Sequence, residues 1–499
     1  MTPTRLSIEA LEQREVPATL TPVMTGLDNP RGLAFGPEGA LYVVEAGRGG
    51  DGPNFETRPG VFASYGASGA VSRLWRGGQE RVATGLPSLI APDGATGPHD
   101  ISFQGQGGAY VTVGFGSNPT RRSELGEVGA GFAQLVRLLP NGTWQSVTDI
   151  GANEAEVNPG GGPIDSNPYG LLAEAGSRVV VDAGGNALLR VAANGVVTTL
   201  AEFPSRDDGR PTDAVPNSVA VGPDGAYYVG ELTGVPFGVG AARVYRVVPG
   251  ETPEVLHTGF TAIIDLDFGP DGSLYVLQHA TGPFLSGNGA LIRVSPDGTR
   301  NTLASEGLDK PTSVVVGDDG AIYVSNRGSS VGTGEVVRIT LDPAAVESGV
   351  VNGGSTQRSM PNRLTVTFDR EVRVERGAFG LRPQDGTPAS LKAAVSVIDG
   401  QTVATLAFDG PGIVGGSLAD GNSAPTIRAD LVSDSPGGNF AGNEVAGGDR
   451  TEAFHPLFGD SDGDRDADYL WSFDASADTG VGLIDLFGFA GSSGSFEQQ

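Results

Sequence analysis

The chain has 499 residues, and at roughly 100–200 residues per domain that length leaves room for two or three domains. With 79 Gly, 34 Pro and only 18% charged residues, turns are plentiful and long amphipathic helices are excluded. The formal net charge of -27 opposes binding to nucleic acid or anionic lipid surfaces, no apolar run is long enough to span a membrane, and the lack of Cys removes disulfides and thiol chemistry.

The first 18 residues, MTPTRLSIEALEQREVPA, lack the apolar run of a secretory signal. From there a repeat takes over. Leu33–Val43 reads LAFGPEGALYV and recurs as VAVGPDGAYYV from Val219, LDFGPDGSLYV from Leu266 and VVVGDDGAIYV from Val314, with looser copies from Ile101 and Leu171. Each copy is a pair of alternating apolar strands joined by a Pro-Asp-Gly type turn, in which Pro presets φ and Gly accepts a positive φ. An apolar-Arg-apolar strand follows each hairpin, as in Leu291-Ile292-Arg293-Val294, and a fourth strand such as Thr302-Leu303-Ala304 follows that. Six units of four antiparallel strands, at a period of about 48 residues in the last three copies, describe a six-bladed β-propeller over residues 19–342. The sixth unit lacks its fourth strand, and Pro22–Leu27 matches the fourth-strand pattern of Arg81–Leu86. The amino-terminal strand is therefore expected to close the ring.

Beyond Pro343 the period stops. Leu364–Phe368 and Thr402–Phe408 alternate cleanly between Gly, Pro and Asp turns, which predicts a small, Ig-like β-sandwich over residues 350–450. The whole chain is thus expected to be all-β, with a short acidic region at 455–499.

In a propeller the loops entering the innermost strands and the loops joining second to third strands emerge on one face, where polar residues converge on the central channel. The first set offers Arg31, His99, Asp100, Asp165, Asn167, Tyr169 and Asp265 as candidate binding residues; the second offers Glu45, Asp182, Asn186, Glu231, His279 and Asn326. Glu45, Asp182, Glu231 and His279 could together hold a divalent metal, with His99 and Asp100 activating water or taking a proton. Against that stands the ordinary use of Asp, Asn and His as hydrogen-bonding groups at strand ends. The Gly-rich stretches at 49–52 and 160–162 lack the Lys and the helix of a phosphate loop. Long insertions at Arg48–Ser68 and Gly114–Gly131 carry Asn54, Phe55, Phe62, Tyr65 and Phe115 on the same face, either for a planar or apolar ligand or as packing over the channel mouth.

The segments GLDNPRGLAFGPEGALYVVEAGRGGDGP, GPHDISFQ, DSNPYGLL, VVVDAGGNALLRV and LTGVPFGVGAARVYRV together resemble the ScyD/ScyE family, over about residues 20–340. That resemblance implies an exported, NHL-like six-bladed propeller with no firmly attached activity. Many relatives carry two Cys between positions equivalent to Asp51 and Gly66, and this chain has none there. The segment RLSIEALEQREVPA resembles the leader of large planctomycete surface proteins, which implies an extracytoplasmic location. The tail resembles a degenerate dockerin or EF-hand module: Asp460, Asp462, Asp464 and Asp468, then Asp474, Ser476, Asp478 and Asp485, fall at calcium-loop spacing. Arg465 and Thr479 stand where such loops carry Gly, and Trp471 where the first carries its last acid. The expected cofactors are Ca²⁺ in the tail and a divalent metal in the channel. The expected partner is a small molecule or a cell-surface protein. Two functions remain in view, an exported binding or assembly protein and a metal-dependent hydrolase, lactonase or lyase.

Overall fold

A computed structural model describes residues 18–451, apart from 93, 106–107, 208–210, 342–343, 353–361, 384–389, 399–400 and short stretches after 411. The first 17 residues of the leader-like segment and all eight calcium-loop positions, Asp460 to Asp485, lie outside the described residues. The chain divides into two units. The first reaches to Ala344 and includes Arg370–Arg373 and Ser433–Phe440; the second contains Ala345–Asp369 and Val374–Val432.

The first unit is a six-bladed propeller of antiparallel sheets, six-stranded in blade 1 and four-stranded in the other five. Strand β1 (Ala18–Leu27) precedes blade 1, which holds β2 (Pro30–Phe35), β3 (Leu41–Glu45), β4 (Asn54–Arg58), β5 (Val61–Trp75), β6 (Gly78–Ala91) and β7 (Gly94–Thr96). Blade 2 is β8 (Pro98–Gln104), β9 (Gly108–Val113), β10 (Gln134–Leu138) and β11 (Trp144–Asp149), followed by helix α1 (Ile150–Val157). Blade 3 is β12 (Pro168–Glu174), β13 (Ser177–Asp182), β14 (Ala187–Ala192) and β15 (Val197–Glu202); a short ribbon of β16 (Arg206–Asp207) and β17 (Pro211–Thr212) follows. Blade 4 is β18 (Pro216–Val221), β19 (Tyr227–Glu231), β20 (Ala242–Val247) and β21 (Glu254–Phe260). Blade 5 is β22 (Ile263–Phe268), β23 (Leu274–Gln278), β24 (Ala290–Val294) and β25 (Arg300–Ala304). Blade 6 is β26 (Ser313–Val316), β27 (Ile322–Asn326) and β28 (Gly334–Leu341), completed by β1, which pairs with β28 from Ala18↔Leu341 to Leu27↔Gly334.

The hairpin turns form as their residues dictate: Gly39, Gly225, Gly272 and Gly320 all sit at φ near +80°. The innermost strands pack in sequence, β2 on β8, β8 on β12, and so on to β26 back on β2. Apolar burial follows the same order. Met24, Leu27 and Val336 of blade 6 cluster with Leu33 and Val43 of blade 1, Val44 and Val71 with Val111 and Val136 of blade 2, and Ile264 and Leu277 of blade 5 with Val324 and Val337 of blade 6. Second strands such as β3 and β23 are buried at every residue because a neighbouring blade covers each face.

The insertions expected as loops are partly regular. Residues 54–64 form a ribbon of β4 with the start of β5, and Pro119–Gly131 is 3₁₀ helix. Phe55 and Phe115 are buried and stack on one another, and Phe115 stacks on Phe132, with centroids 5.0 and 5.8 Å apart, so these rings pack the insertions rather than face a ligand. Phe62 alone of the named phenylalanines is exposed.

In the second unit, Val346–Val351, Arg363–Phe368, Gln401–Asp409 and Ser390–Ile398 form one antiparallel sheet, in that spatial order. Phe379–Pro383, Ser423–Ile427 and Arg450–Thr451 form another, and Leu364, Val366 and Leu406 of the first meet Phe379 and Ile427 of the second in a common apolar space. This is a small β-sandwich.

Candidate functional site

The six hairpins share a common origin at Leu33, Ile101, Leu171, Val219, Leu266 and Val314. Three residues earlier stands Pro in five blades, Pro30, Pro98, Pro168, Pro216 and Pro311, with Ile263 in blade 5. Directly after it the innermost strand slips register in blades 1 to 5: between Pro30 and Leu33, Pro98 and Asp100, Pro168 and Leu171, Pro216 and Ser218, and Ile263 and Asp265. A bulge of this kind turns one side chain out of the ladder. The residues so placed, with Thr312 of blade 6, are Arg31, His99, Tyr169, Asn217 and Ile264. Arg31, His99 and Tyr169 lie close together, while Ile264 packs between blades 5 and 6 with Leu277 and Val324.

The next residue in each blade is Gly32, Asp100, Gly170, Ser218, Asp265 or Ser313, and Asp100, Asp265 and Ser313 bond to the following blade instead. Asp100 Oδ2 accepts the N–H of Leu171 at 2.8 Å, Asp265 Oδ2 accepts Val314 N–H at 2.9 Å and the Ser313 hydroxyl at 2.6 Å, and Ser313 Oγ accepts Leu33 N–H at 3.0 Å. Where this position is Gly, a Cβ would collide with the neighbour: from Gly32 with the backbone of Asp100, and from Gly170 with Asn217 O at 2.8 Å. Burial lifts the Asp265 carboxyl to about 6, and burial together with Asp265 lifts Asp100 well above the usual range. Asp100 and Asp265 therefore act as blade-to-blade tethers.

A second set pins each blade's own entrance loop. Glu45 Oε2 accepts Asp28 N–H at 2.8 Å, Asp182 Oδ1 accepts Asn167 N–H at 2.6 Å, and Asn326 Oδ1 accepts Asp309 N–H at 2.8 Å. Gln278 does the same for Thr261. Glu45 also takes the Ser72 hydroxyl and a two-pronged contact from Arg81, at 2.9 and 2.6 Å, while Asp182 takes the Ser166 hydroxyl and Gly185 N–H. Glu231 is fully buried opposite Pro216. Asn186 Oδ1 accepts Val215 N–H of the next blade, and Asn167 Oδ1 accepts Phe115 N–H. Asp165, Asn167 and Asn186 line a separate cleft of about 270 Å³ that also contains Asp213. Glu45, Asp182, Glu231 and His279 are thus not gathered around one point, and among the described residues no three His, Asp or Glu side chains are placed to hold a metal ion.

What remains at the mouth is Arg31, His99, Tyr169 and His279. Arg31 is nearly buried; its guanidinium donates to the carbonyls of Pro30, Gly328 and Ala95, which accounts for three of its five N–H groups. Among the described residues no carboxylate pairs with it, and burial holds its pKa down. His99 stacks on Tyr169 with centroids 4.4 Å apart, and its Nδ1 lies 3.2 Å from Pro168 O. His279 Nδ1 lies 2.9 Å from Pro311 O. A carbonyl can only accept, so each Nδ1 carries the proton and each Nε2 keeps its lone pair. Burial and then Arg31 push His99 to about 3; burial, with Arg31 and Lys310, pushes His279 to about 4. Both imidazoles are neutral at physiological pH. Burial raises the Tyr169 phenol to about 12, so it too is neutral.

The sequence singled out Arg31, His99, Tyr169 and His279 but not Asn217, Ile264 and Thr312, which stand at the equivalent positions of blades 4 to 6. The signal for Asn217 and Thr312 is the Pro that precedes each; Ile264 follows Ile263 and has no such signal. Lys310, whose Nζ donates to Leu285 O and Gly287 O beside His279, was also missed, because it lies outside the repeat pattern.

No family model matches the chain. No curated protein matches it either. Among solved structures it is similar to a protein of Thermus thermophilus assigned as a glucose dehydrogenase-type oxidoreductase, at 18% identity and a TM-score of 0.42, over 65% of this chain and 100% of that one. It is similar also to virginiamycin B lyase of Staphylococcus aureus (12%, 0.37, 65% and 100%) and to a gluconolactonase of Xanthomonas campestris (16%, 0.34, 65% and 90%). Identities this low carry no chemistry across. Among the described residues no helix is long and apolar enough to cross a membrane.

Proposed function

We propose that the propeller is a small-molecule-binding module that takes an anionic ligand at the upper mouth of its channel. One observation carries the reading: Arg31, a nearly buried guanidinium, faces carbonyls and neutral imidazoles and has no carboxylate partner among the described residues. Burying an unpaired charge is costly, and an anion completing the site offsets that cost. The imidazole Nε2 atoms and the Tyr169 hydroxyl supply directional contacts around it. The leader resemblance and the appended sandwich support an exported or surface-bound binding or assembly protein.

The alternative, a metal-dependent hydrolase, lactonase or lyase, draws support from the two imidazoles with bare Nε2 atoms. The residues do not fit a resident cation as proposed from the sequence, because the oxygens of Glu45 and Asp182 are already taken by Arg81 and backbone N–H groups. Asp100, the expected partner of His99 in activating water, is likewise turned to Leu171.

Ligand-observed NMR with matched panels of anionic, neutral and cationic fragments tests the reading. Binders should come from the anionic panel and disappear with Arg31→Met. Binding spread evenly over the panels, or indifferent to that substitution, would remove it.

A further inference from the structure

The class of anion can be narrowed, on the premise that the mouth is the binding site. A continuous chain of hydrogen bonds leads from Arg31 to an exposed apolar lip. Arg31 donates to Gly328 O, Gly328 N–H donates to Lys310 O at 3.0 Å, and Lys310 Nζ donates to Leu285 O and Gly287 O. The same turn holds Phe284, whose N–H donates to Pro236 O at 3.1 Å in the adjoining blade. Phe284 is 70% exposed, and Val235 and Val239, on the loop that carries Pro236, are 68% and 63% exposed. These are the most exposed large apolar side chains of the described residues. They sit together on two loops that join second to third strands, the face on which His279 also emerges.

A lone exposed Val needs no explanation, but three large apolar groups on two mutually bonded loops beside a ligand mouth mark a contact surface. The charge next to them is equally selective. Lys310, one of only two lysines in a chain of net charge -27, stands beside this lip, and like Arg31 it donates to carbonyls with no carboxylate partner among the described residues. The acid acting on His279 is Asp309, whose effect is smaller than those of Arg31 and Lys310. Arg31 at the floor, with Lys310 beside the apolar lip at the rim, makes a surface with a charged end and an oily end.

We propose that the ligand is an organic anion with an apolar body, its acid group on Arg31 and Lys310 and its body across Phe284 and Val235. Inorganic anions and short acids would satisfy the floor alone; neutral apolar molecules would satisfy the lip alone.

Calorimetric titration of the full chain with octanoate, octanamide and acetate separates these terms. Octanoate should bind about tenfold or more tightly than either of the others, since several methylenes leave water at the lip. The double variant Val235→Ser, Phe284→Ser should erase the advantage over acetate. Arg31→Met should erase the advantage over octanamide, and Lys310→Met, at the rim and safer for folding, should reduce it several-fold. If octanamide matches octanoate, if octanoate gives no heat, or if the double serine variant binds octanoate normally, the ligand class is wrong. In those cases anionic fragments that still need Arg31 leave the mouth reading standing. Octanoate binding that survives both Arg31→Met and Lys310→Met overturns the class and the mouth together.

Discussion

Asp265 of blade 5 accepts the backbone N–H of Val314 in blade 6 at 2.9 Å. Its Oδ2 also takes the Ser313 hydroxyl, and Ser313 Oγ in turn accepts Leu33 N–H of blade 1, so one carboxylate holds the junction across which the ring closes. Asp265→Ala would strand two buried donors, at about 1–3 kcal/mol each. Urea unfolding should show the propeller destabilised by about 2–4 kcal/mol. A loss below about 0.5 kcal/mol would mean that apolar packing alone holds the blades.

The same closure predicts a strong effect at the amino terminus. Met24 and Leu27 of β1 are each only 1% exposed and pack against Leu33, Val43 and Val336. Leu27→Ala should cost about 2–5 kcal/mol by leaving a cavity. Removing residues 1–27 should lower the melting temperature sharply and promote association through the bared edge of β28. An unchanged melt, with no increase in association, would show that the pairing of β1 with β28 contributes nothing.

These two cases show what the sequence made legible. The hairpin repeat, its turns and the missing fourth strand of blade 6 are local patterns, so blade number and the role of Pro22–Leu27 could be read directly. The fate of a polar side chain is not local. Asp100 bonds to Leu171, 71 residues away, and Arg81 reaches Glu45 across blade 1, 36 residues away. Spacing along the chain cannot reveal that an acid near the channel is already claimed by a neighbour's N–H or guanidinium. Glu45, Asp100, Asp182 and Asp265 therefore turned out to be tethers and pins, while Arg31, His99 and His279 kept unclaimed donors or lone pairs. Asn217 and Ile264 escaped notice because a bulge, rather than a residue type, places them, and Thr312 because it stands at the equivalent position just before its strand.

Gly114 offers a way to disturb the mouth without touching a charge. A Cβ there would overlap the His99 ring and Asn167 Oδ1. Gly114→Ala should drive the imidazole off Pro168 O and out of its stack on Tyr169. The ¹⁵N spectrum of the wild type should show His99 and His279 as neutral rings with unprotonated Nε2 down to pH 5. In the variant the His99 signals alone should change, with affinity for anions falling several-fold. A histidinium signature for either wild-type ring at pH 6 would contradict the hydrogen-bond assignment.

The buried carboxyls set how stability varies with pH. Burial raises Asp182 and Asp265 to about 6 and Asp267 to about 7; burial and then Asp182 raise Glu154 to about 7; burial also raises Asp100 and Asp165. Each holds a proton in the folded chain that the unfolded chain releases above about pH 4, so each favours folding at the acid end and loses that contribution as pH climbs through its folded value. The histidines act in the opposite sense. Burial lowers His99 to about 3, His279 to about 4 and His257 below its usual value, so the unfolded chain takes up protons that the folded chain refuses as pH falls below 6.5. Six carboxyls outweigh three imidazoles, and relief of self-repulsion in a chain of charge -27 adds to the acid side. Below about pH 4 the trend reverses, as surface carboxylates held down by Thr299 N–H (Asp297), Arg121 (Glu124) and Lys392 (Asp409) take up protons and lose those contacts. The melting temperature should therefore be higher at pH 5 than at pH 8. Between pH 6.5 and 7.5 the slope should come from Glu154 and Asp267 together with Asp100, and the double variant Glu154→Gln, Asp267→Asn should make it shallower. A melting temperature that rises steadily from pH 5 to pH 8 would mean that these carboxyls are ionised and hydrated in the folded protein.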